Sequence, residues 1–161
     1  MKIAYLHGLE SSIDSSSLKI IWLNDNFSHV YTPSINYHNT NSFTNILTQI
    51  KKHKPDYIVG SSMGGYFAYL IGASLEIPTI LFNPAVIGRS FDPIVDDITL
   101  KETSHSVFLG KTDEVINGAK VQSYFSHFGI GEFTYTSYNG GHRVLAEVFI
   151  NSIKDVVGFL K

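Results

Sequence analysis

The chain has 161 residues, of which 43% are hydrophobic and 16% are charged, and it carries a formal net charge of −2. A chain of this length can form one domain with a substantial core, and its composition excludes intrinsic disorder. Because the sequence contains no cysteine, disulfides, thiolate metal sites and a cysteine nucleophile are excluded as well. We therefore predict one globular domain over residues 1–161.

Charge and hydropathy along the chain argue against two classes of partner. The densest basic run is "KKHK" at 51–54, and this run is typical of the solvated end of a helix rather than of a nucleic-acid interface. The apolar run that follows Met1 is too short for a signal peptide or a membrane span. We expect a cytoplasmic protein that binds neither nucleic acid nor a membrane. No feature of the sequence predicts an oligomeric state.

Short apolar runs rich in β-branched and aromatic residues alternate with longer stretches of helical periodicity. The predicted strands cover 2–6, 29–32, 56–60, 78–82, 105–110 and 132–138. The predicted helices cover 15–24, 42–52 (with Ser42 as its cap), 65–75, 118–127 and 143–160. This alternation predicts an α/β fold, because parallel strands need crossover connections. We expect a doubly wound, mostly parallel sheet of about six strands with helices on both faces, and a ligand site beyond the carboxyl ends of the strands.

The strand at 56–60 runs into "GSSMG" at 60–64, which matches the pattern G-x-S-x-G with Ser62 at its centre. In this motif the chain turns sharply from a strand into a helix and presents the serine as a nucleophile, while the glycines relieve crowding. The side chain of Ser61 is expected to point away from the turn. The alternative is a helix start with a serine cap, and the position between a buried strand and a helix favours the nucleophile.

A serine nucleophile needs a base, and the base needs an orienting acid. On this fold they follow in the order Ser, Asp or Glu, His, each after a later strand. Asp113 follows the strand at 105–110, and His142 follows the strand at 132–138. We interpret them as the acid and the base. Glu114 is the alternative acid, and taken singly Asp113 fits a turn residue and His142 a loop histidine.

The loop after the first strand, "HGLESS" at 7–12, is the candidate for the opposite side of the site. We expect the backbone N–H of Leu9 to face Ser62 and to form an oxyanion hole with the N–H of Met63, the residue after the nucleophile. We interpret His7 as a brace for this loop. The alternatives for His7 are the catalytic base and a contact in the substrate pocket.

Further residues are candidates for the substrate pocket. Tyr66 and Phe91 fit an apolar pocket, and core packing is the equal alternative for each. The polar residues after the first strand are interpreted as caps of the next helix in preference to pocket residues (Ser11, Ser12, Asp14). No cluster of carboxylates and histidines has the spacing of metal ligands, so no metal is predicted.

With Ser62, Asp113 and His142 at these positions, the sequence resembles the α/β-hydrolase superfamily and, more narrowly, the small YqiA-type esterases. The motifs that carry the resemblance occur in order over most of the chain: "YLHGLESS", "VGSSMGGYFA", "NPAV", "GKTDEVI" and "GGH". The stretches 29–50 and 87–104 contribute little to it. The segment after "NPAV" is short, which implies a small cap over the pocket.

The resemblance implies a compact serine hydrolase that needs no cofactor and acts on a small-molecule ester or thioester through an acyl-enzyme intermediate. It assigns the catalytic triad to Ser62, Asp113 and His142. In this family an extra residue often precedes the histidine, whereas His142 directly follows Gly141 here. Two alternatives stay open: a non-catalytic binding module on the same scaffold, and an acyl-transfer or C–C bond-cleaving enzyme that uses the same residues.

Overall fold

The computed structural model of the protein describes residues 1–9 and 11–158. Strands and helices alternate along this part of the chain, as the hydrophobic pattern predicts. The elements in chain order are β1 (Lys2–Leu6), α1 (Leu18–Asn26), β2 (His29–Tyr31), α2 (Ser42–His53), β3 (Tyr57–Ser61), α3 (Met63–Leu75), β4 (Thr79–Phe82), β5 (Ser104–Gly110), α4 (Gly118–Phe128), β6 (Glu132–Tyr138) and α5 (Ala146–Val157). Each predicted strand and helix is present, with ends shifted by a few residues.

The six strands form one sheet in the order β2-β1-β3-β4-β5-β6, and each strand pairs with its neighbours in parallel. This confirms the predicted α/β architecture. The chain runs outward from β1 to β2 and then crosses back to β3, so the direction of winding reverses between β1 and β3. In parallel α/β sheets, the crevice outside the carboxyl ends of the strands at such a reversal is the usual ligand site.

Helices cover both faces of the sheet, and each face has its own apolar core. Leu23 of α1 and Phe149 of α5 lie buried in one core. Phe43 of α2, Phe67 of α3 and Phe125 of α4 lie buried in the other. Burial of each such side chain stabilises the fold by about 1.5–3 kcal/mol relative to exposure. The two cores together fix the positions of the strand ends that carry the candidate site.

Helix α1 begins later than predicted because Ser17 caps it. The Ser17 hydroxyl accepts a hydrogen bond from the backbone N–H of Ile20. Asp14 instead accepts hydrogen bonds from the N–H and the hydroxyl of Ser16, within a turn that precedes the helix. The prediction that the polar residues before this helix cap it (Ser11, Ser12, Asp14) is therefore wrong.

Two further helix ends differ from their predicted positions. Asn41 is the residue at the N-cap of α2, without a capping hydrogen bond from its side chain. The hydroxyl of Ser42 is buried with no hydrogen-bond partner among the described residues, so Ser42 is not the cap. Helix α5 begins at Ala146, later than predicted, because 139–145 form the loop after β6. The predicted last apolar position of this helix, Leu160, lies outside the described residues.

Candidate active site

Ser62 lies at the turn between β3 and α3 in a backbone conformation that non-glycine residues rarely adopt. Its φ of 54° and ψ of −116° are expected to cost about 1–3 kcal/mol. Two glycines make the turn sterically possible. A Cβ atom on Gly60 would clash with the backbone of Gly64, and one on Gly64 would clash with the carbonyl oxygen of Leu6. The G-x-S-x-G segment thus forms the sharp strand-to-helix turn that its sequence predicts.

Backbone hydrogen bonds hold Ser62 in this strained conformation. Its N–H donates to the Phe82 carbonyl in β4 at 2.9 Å, and its carbonyl accepts from the N–H of Ala85 at 2.9 Å and of Tyr66 at 3.1 Å. The neighbouring hydroxyl, that of Ser61, is buried and faces the Tyr5 phenol, whereas the hydroxyl of Ser62 faces His142. Of the two adjacent serines, Ser62 is therefore the one placed for chemistry at the sheet edge.

The structure brings the three predicted triad side chains into one hydrogen-bonded row. Nε2 of His142 lies 3.0 Å from Oγ of Ser62, and Nδ1 of His142 lies 2.8 Å from Oδ2 of Asp113. Because the carboxylate can only accept, Nδ1 carries a proton and Nε2 accepts from the serine hydroxyl. The row connects the ends of β3, β5 and β6, and it can withdraw a proton from the Ser62 hydroxyl.

Asp113 is the carboxylate in this row, and Glu114 is not. The Asp113 side chain is 1% exposed, and its Oδ1 accepts hydrogen bonds of 2.8 Å from the N–H groups of Val115 and Ile116. These bonds orient the carboxylate so that Oδ2 faces His142. Glu114, the alternative acid, is exposed on the surface and does not take part in the row.

Asn83 holds the loop that carries His142, and it was not identified from the sequence as a functional residue. It is 1% exposed and has a φ of 43°. Its Oδ1 accepts from the N–H of Gly110 at 2.8 Å, and its Nδ2 donates to the hydroxyl of Tyr138 at 2.6 Å and to the carbonyl of His142 at 3.2 Å. One side chain thus ties the end of β5 to the loop that carries the histidine. The available signal was an Asn-Pro pair directly after a buried strand.

Tyr138 completes this support. Its hydroxyl donates to the Gly141 carbonyl at 3.0 Å while it accepts from Asn83. Burial raises the pKa of Tyr138, and this effect is larger than the lowering caused by the hydrogen bond from Asn83. The phenol therefore stays protonated and keeps the His142 loop in place over the neutral pH range.

The loop after β1 approaches Ser62 closely. A Cβ atom on Gly8 would lie 3.4 Å from Cβ of Ser62, so this backbone borders the nucleophile directly. Met63 is the first residue of α3, where a backbone N–H has no partner within its helix. Among the described residues, the N–H groups of Leu9 and Met63 make no hydrogen bond. Both are free to donate to a ligand oxygen, which the proposed oxyanion hole requires.

His7 lies in the core beneath this loop and does not line a cavity beside Ser62. It is 1% exposed; its Nδ1–H donates to the Gly8 carbonyl at 2.8 Å, and its Nε2 accepts from the N–H of Ile35 at 2.8 Å. The hydroxyl of Tyr37 donates to the His7 carbonyl. Burial lowers the pKa of His7 despite the opposing bond to Gly8. With both ring nitrogens occupied, His7 can brace the loop but cannot serve as the base or contact a substrate.

A cavity of about 700 Å³ opens beside Ser62 and His142. One wall consists of the loop between β1 and α1 together with the first turn of α1. The other wall is the loop before α5. The wall residues include Ser11, Ser12, Asp14 and Leu18 together with Val144 and Leu145. The polar residues predicted as helix caps therefore line the cavity instead.

The two aromatic residues predicted for the pocket lie elsewhere. Tyr66 is covered by the guanidinium of Arg89, whose carbon lies 4.2 Å from the ring centroid. Phe91 packs against His38 at 4.5 Å between ring centroids. Both belong to the margin of the core beneath α2, α3 and α4, whereas the cavity opens toward α1 and α5. Both side chains therefore pack against the core, which was the alternative interpretation for each.

The described residues contain neither a metal cluster nor a membrane-spanning helix. Among residues 1–9 and 11–158, no three His, Asp or Glu side chains converge as a metal site. None of the helices in this part of the chain is both long enough and apolar enough to cross a bilayer.

The sequence profile of an uncharacterised protein family, UPF0227, matches residues 2–106 of the chain. The matched range contains β1 to β4 and Ser62. It ends before Asp113 and His142, so the profile does not cover the predicted acid and base.

Solved structures with similar folds include enzymes of the α/β-hydrolase superfamily. A superfamily member from Xanthomonas campestris pv. campestris aligns with a TM-score of 0.71 and 16% identity over 99% of this chain and 98% of its own. Est1E from Butyrivibrio proteoclasticus aligns with 0.69 and 16% over 97% and 86%, and another structure of Est1E contains ferulic acid. The RedJ thioesterase of prodiginine biosynthesis in Streptomyces coelicolor aligns with 0.69 and 10% over 99% and 90%. These similarities establish a common fold.

Proposed function

This chain belongs to the uncharacterised protein family UPF0227, and we propose that it is a serine hydrolase that cleaves carboxylic esters or thioesters. The observation that carries the proposal is the row of hydrogen bonds from Ser62 through His142 to Asp113, with lengths of 3.0 and 2.8 Å. A strained serine at the end of a parallel strand, with an imidazole and a buried carboxylate aligned behind it, is the arrangement that activates a hydroxyl for acyl transfer.

In the first half of the proposed reaction, His142 Nε2 takes the proton of Ser62 as Oγ attacks the carbonyl carbon of the substrate. The Asp113 carboxylate stabilises the imidazolium that forms. The N–H groups of Leu9 and Met63 bind the oxyanion of the tetrahedral intermediate, and each donor is worth about 3 kcal/mol of transition-state stabilisation. The intermediate then collapses, the C–O or C–S bond breaks, and His142 donates its proton to the departing alkoxide or thiolate.

In the second half, water replaces the leaving group. His142 takes a proton from this water while the water oxygen attacks the carbonyl carbon of the acyl-enzyme. The N–H groups of Leu9 and Met63 bind the second oxyanion. Cleavage of the bond to Ser62 Oγ releases a carboxylic acid, and the proton returns to the serine. All the proposed steps use side chains, backbone amides and water.

The surroundings of Ser62 favour substrates that reach the site without passing a large lid. Residues 87–103, which follow β4, contain no helix or strand, so no folded cap domain is inserted there. We propose that short acyl chains, or longer chains that remain partly exposed, fit the open cavity. Similar folds occur in the esterase Est1E and in the thioesterase RedJ, which supports testing both oxygen and sulfur esters.

Covalent labelling and turnover test the proposal together. A fluorophosphonate probe should label the wild type on Ser62, as identified by peptide mass spectrometry, and should not label Ser62→Ala. The matched control is Ser61→Ala, which removes the adjacent hydroxyl and should still be labelled. Turnover of p-nitrophenyl esters and acyl thioesters of graded chain length should fall by several orders of magnitude in Ser62→Ala.

Two results would overturn the proposal. One is undiminished turnover by Ser62→Ala across the panel. The other is a wild type that resists the probe and leaves every ester intact, which would identify the fold as a binding module.

A further inference from the structure

The cavity beside Ser62 contains two positively charged side chains in addition to the triad. Lys19, from the first turn of α1, and Arg143, from the residue after His142, both line it. They come from opposite walls, so a ligand that reaches Ser62 lies between or beside them. Neither residue is needed for proton transfer, and the triad leaves their presence unexplained.

Neither cation forms an ion pair with another described residue. The ion pairs in this part of the chain join other residues, and Lys19 instead lies over the ring of Phe149 at 5.2 Å from its centroid. Asp14 is the acidic residue in the described cavity wall, and its Oδ1 already accepts hydrogen bonds of 2.9 and 2.6 Å from Ser16. Among the described residues of the cavity wall, two cations thus stand against one carboxylate, and this part of the wall carries a net positive charge.

Lys19 is half-buried and Arg143 is exposed, and both line the cavity. Their like charges repel each other, and this repulsion is relieved when an anion binds. Burial lowers the pKa of Lys19, and the charge of Arg143 lowers it further. An arginine guanidinium keeps its charge at every accessible pH. The apolar side chains of Leu18 and Leu145, which are 69% and 66% exposed, border the same cavity. The walls thus combine apolar surface for a hydrocarbon chain with cations for a charged group.

We propose that Lys19 and Arg143 form an anion-binding subsite, so that the preferred substrates are esters or thioesters that carry a carboxylate or phosphate group. This inference rests on the proposed hydrolase function and specifies its substrate class. The anionic group occupies either the acyl part or the leaving group, and both arrangements bring it within the cavity that holds Ser62.

Matched pairs of charged and neutral substrates test the subsite. On the acyl side, the p-nitrophenyl monoester of adipic acid is compared with its neutral isostere, p-nitrophenyl isooctanoate. On the leaving-group side, the butyryl ester of p-hydroxy-m-nitrobenzoic acid is compared with the butyryl ester of p-hydroxy-m-nitrobenzamide, in which a neutral amide replaces the carboxylate. We expect kcat/KM of the wild type to favour the charged member of at least one pair by about tenfold, which corresponds to about 1.4 kcal/mol. The favoured pair identifies the end that carries the anion.

Charge-removing variants assign the preference to the two residues. Lys19→Gln and Arg143→Gln should each lower kcat/KM for the charged substrate by about threefold to tenfold, and should change kcat/KM for the neutral partner little. The matched control is Lys154→Gln, because Lys154 also lies over an aromatic ring, that of Trp22 at 5.9 Å, but is not a cavity residue. It should leave both rates unchanged. Raising the salt concentration should reduce the preference in the wild type.

The outcomes separate this inference from the proposed function. Hydrolysis of the neutral esters in a Ser62-dependent manner, with no preference for charge in either pair, would overturn the anion subsite and leave the hydrolase intact. The subsite is also overturned if a charge preference survives unchanged in the Lys19→Gln, Arg143→Gln double variant. A failure of the wild type to hydrolyse any ester in the panel would overturn the proposed function itself. Melting temperatures measured for each variant exclude loss of folding as the cause.

Discussion

His105 and His142 lie at opposite ends of the β5–β6 pair, and their surroundings give the two imidazoles opposite chemical characters. His105, near the start of β5, is 1% exposed. Its Nδ1 accepts from the hydroxyl of Thr79 at 2.8 Å, its Nε2–H donates to the carbonyl of Ile130 at 3.2 Å, and its ring stacks on Phe133. His142, in the loop after β6, is 29% exposed on its side chain and faces the Asp113 carboxylate.

The difference lies in the charge of the hydrogen-bond partners and in access to solvent. Burial among uncharged groups lowers the pKa of His105 to about 4, so this ring stays neutral and ties strands together. His142 instead donates from Nδ1–H to the Asp113 carboxylate, and the exposed part of its ring lets a reactant approach. Residue type therefore identifies neither a core histidine nor a candidate base; the partner groups do.

The largest expected effect comes from replacing the two histidines themselves. His142→Gln should lower kcat for p-nitrophenyl butyrate by at least about 10⁴-fold, because the proton acceptor for Ser62 is lost. His105→Gln should lower the melting temperature and leave kcat per folded molecule unchanged. Steady-state kinetics combined with thermal unfolding followed by circular dichroism distinguish the two. Substantial turnover by His142→Gln would rule out its assignment as the base.

A similarly large effect on kcat is expected when Asp113, the hydrogen-bond partner of His142, is replaced. Asp113→Asn should lower kcat by about 10⁴-fold, because an amide no longer stabilises the imidazolium and favours the wrong tautomer. The neighbouring substitution Glu114→Gln removes a charge of the same sign from an exposed side chain and should change kcat less than about twofold. Equal losses in the two variants would show that the net charge of the loop, and not the hydrogen bond to His142, is responsible.

A smaller effect is expected at Asn83, the positioning residue beneath the His142 loop. Asn83→Asp keeps an oxygen for the Gly110 N–H and tolerates the positive φ, but it loses the donor to the carbonyl of His142. Displacement of the ring by a fraction of an ångström should lower kcat by about 10²-fold with little change in KM. The rate of fluorophosphonate labelling should fall in parallel at temperatures where the variant is folded. A change confined to stability, with normal kcat and labelling, contradicts this role.

The last effect is on stability and not on rate, and it concerns the pH dependence of the free energy of unfolding on the His105 side of the comparison. Because the folded pKa is about 4 and the ordinary value is 6.5, the unfolded chain binds more protons between these values, and stability decreases as pH falls from 6.5 to 4. The loss assigned to His105 is about 3 kcal/mol over this window and is absent above it. Urea unfolding at several pH values should give a flatter profile for His105→Gln than for the wild type. Parallel profiles would contradict a neutral buried ring.

The sequence was sufficient for most of the fold and for the three residues of the hydrogen-bonded row. Alternating apolar runs and helical periodicity indicated each strand and helix, because burial on both faces of a parallel sheet leaves a strong local pattern. Ser62 was identifiable from the glycines around it, and Asp113 and His142 from their positions after two later strands. Helix ends were less accurate, since the cap at Ser17 and the loop at 139–145 depend on contacts beyond the local pattern.

The cavity walls and the supporting residues depended on tertiary structure. The sequence placed Tyr66 and Phe91 at a pocket, but the direction of a side chain from a helix or loop is set by which face the sheet covers. Lys19 and Arg143 carry no local motif, and the "NPAV" motif that contains Asn83 does not by itself indicate which groups its side chain contacts. All three lie near Ser62 or His142 because distant segments converge. Local spacing therefore predicted the strands in chain order and the candidate residues that follow them. Only the folding of the chain decided which charges and surfaces surround Ser62, because those contacts join residues far apart in sequence.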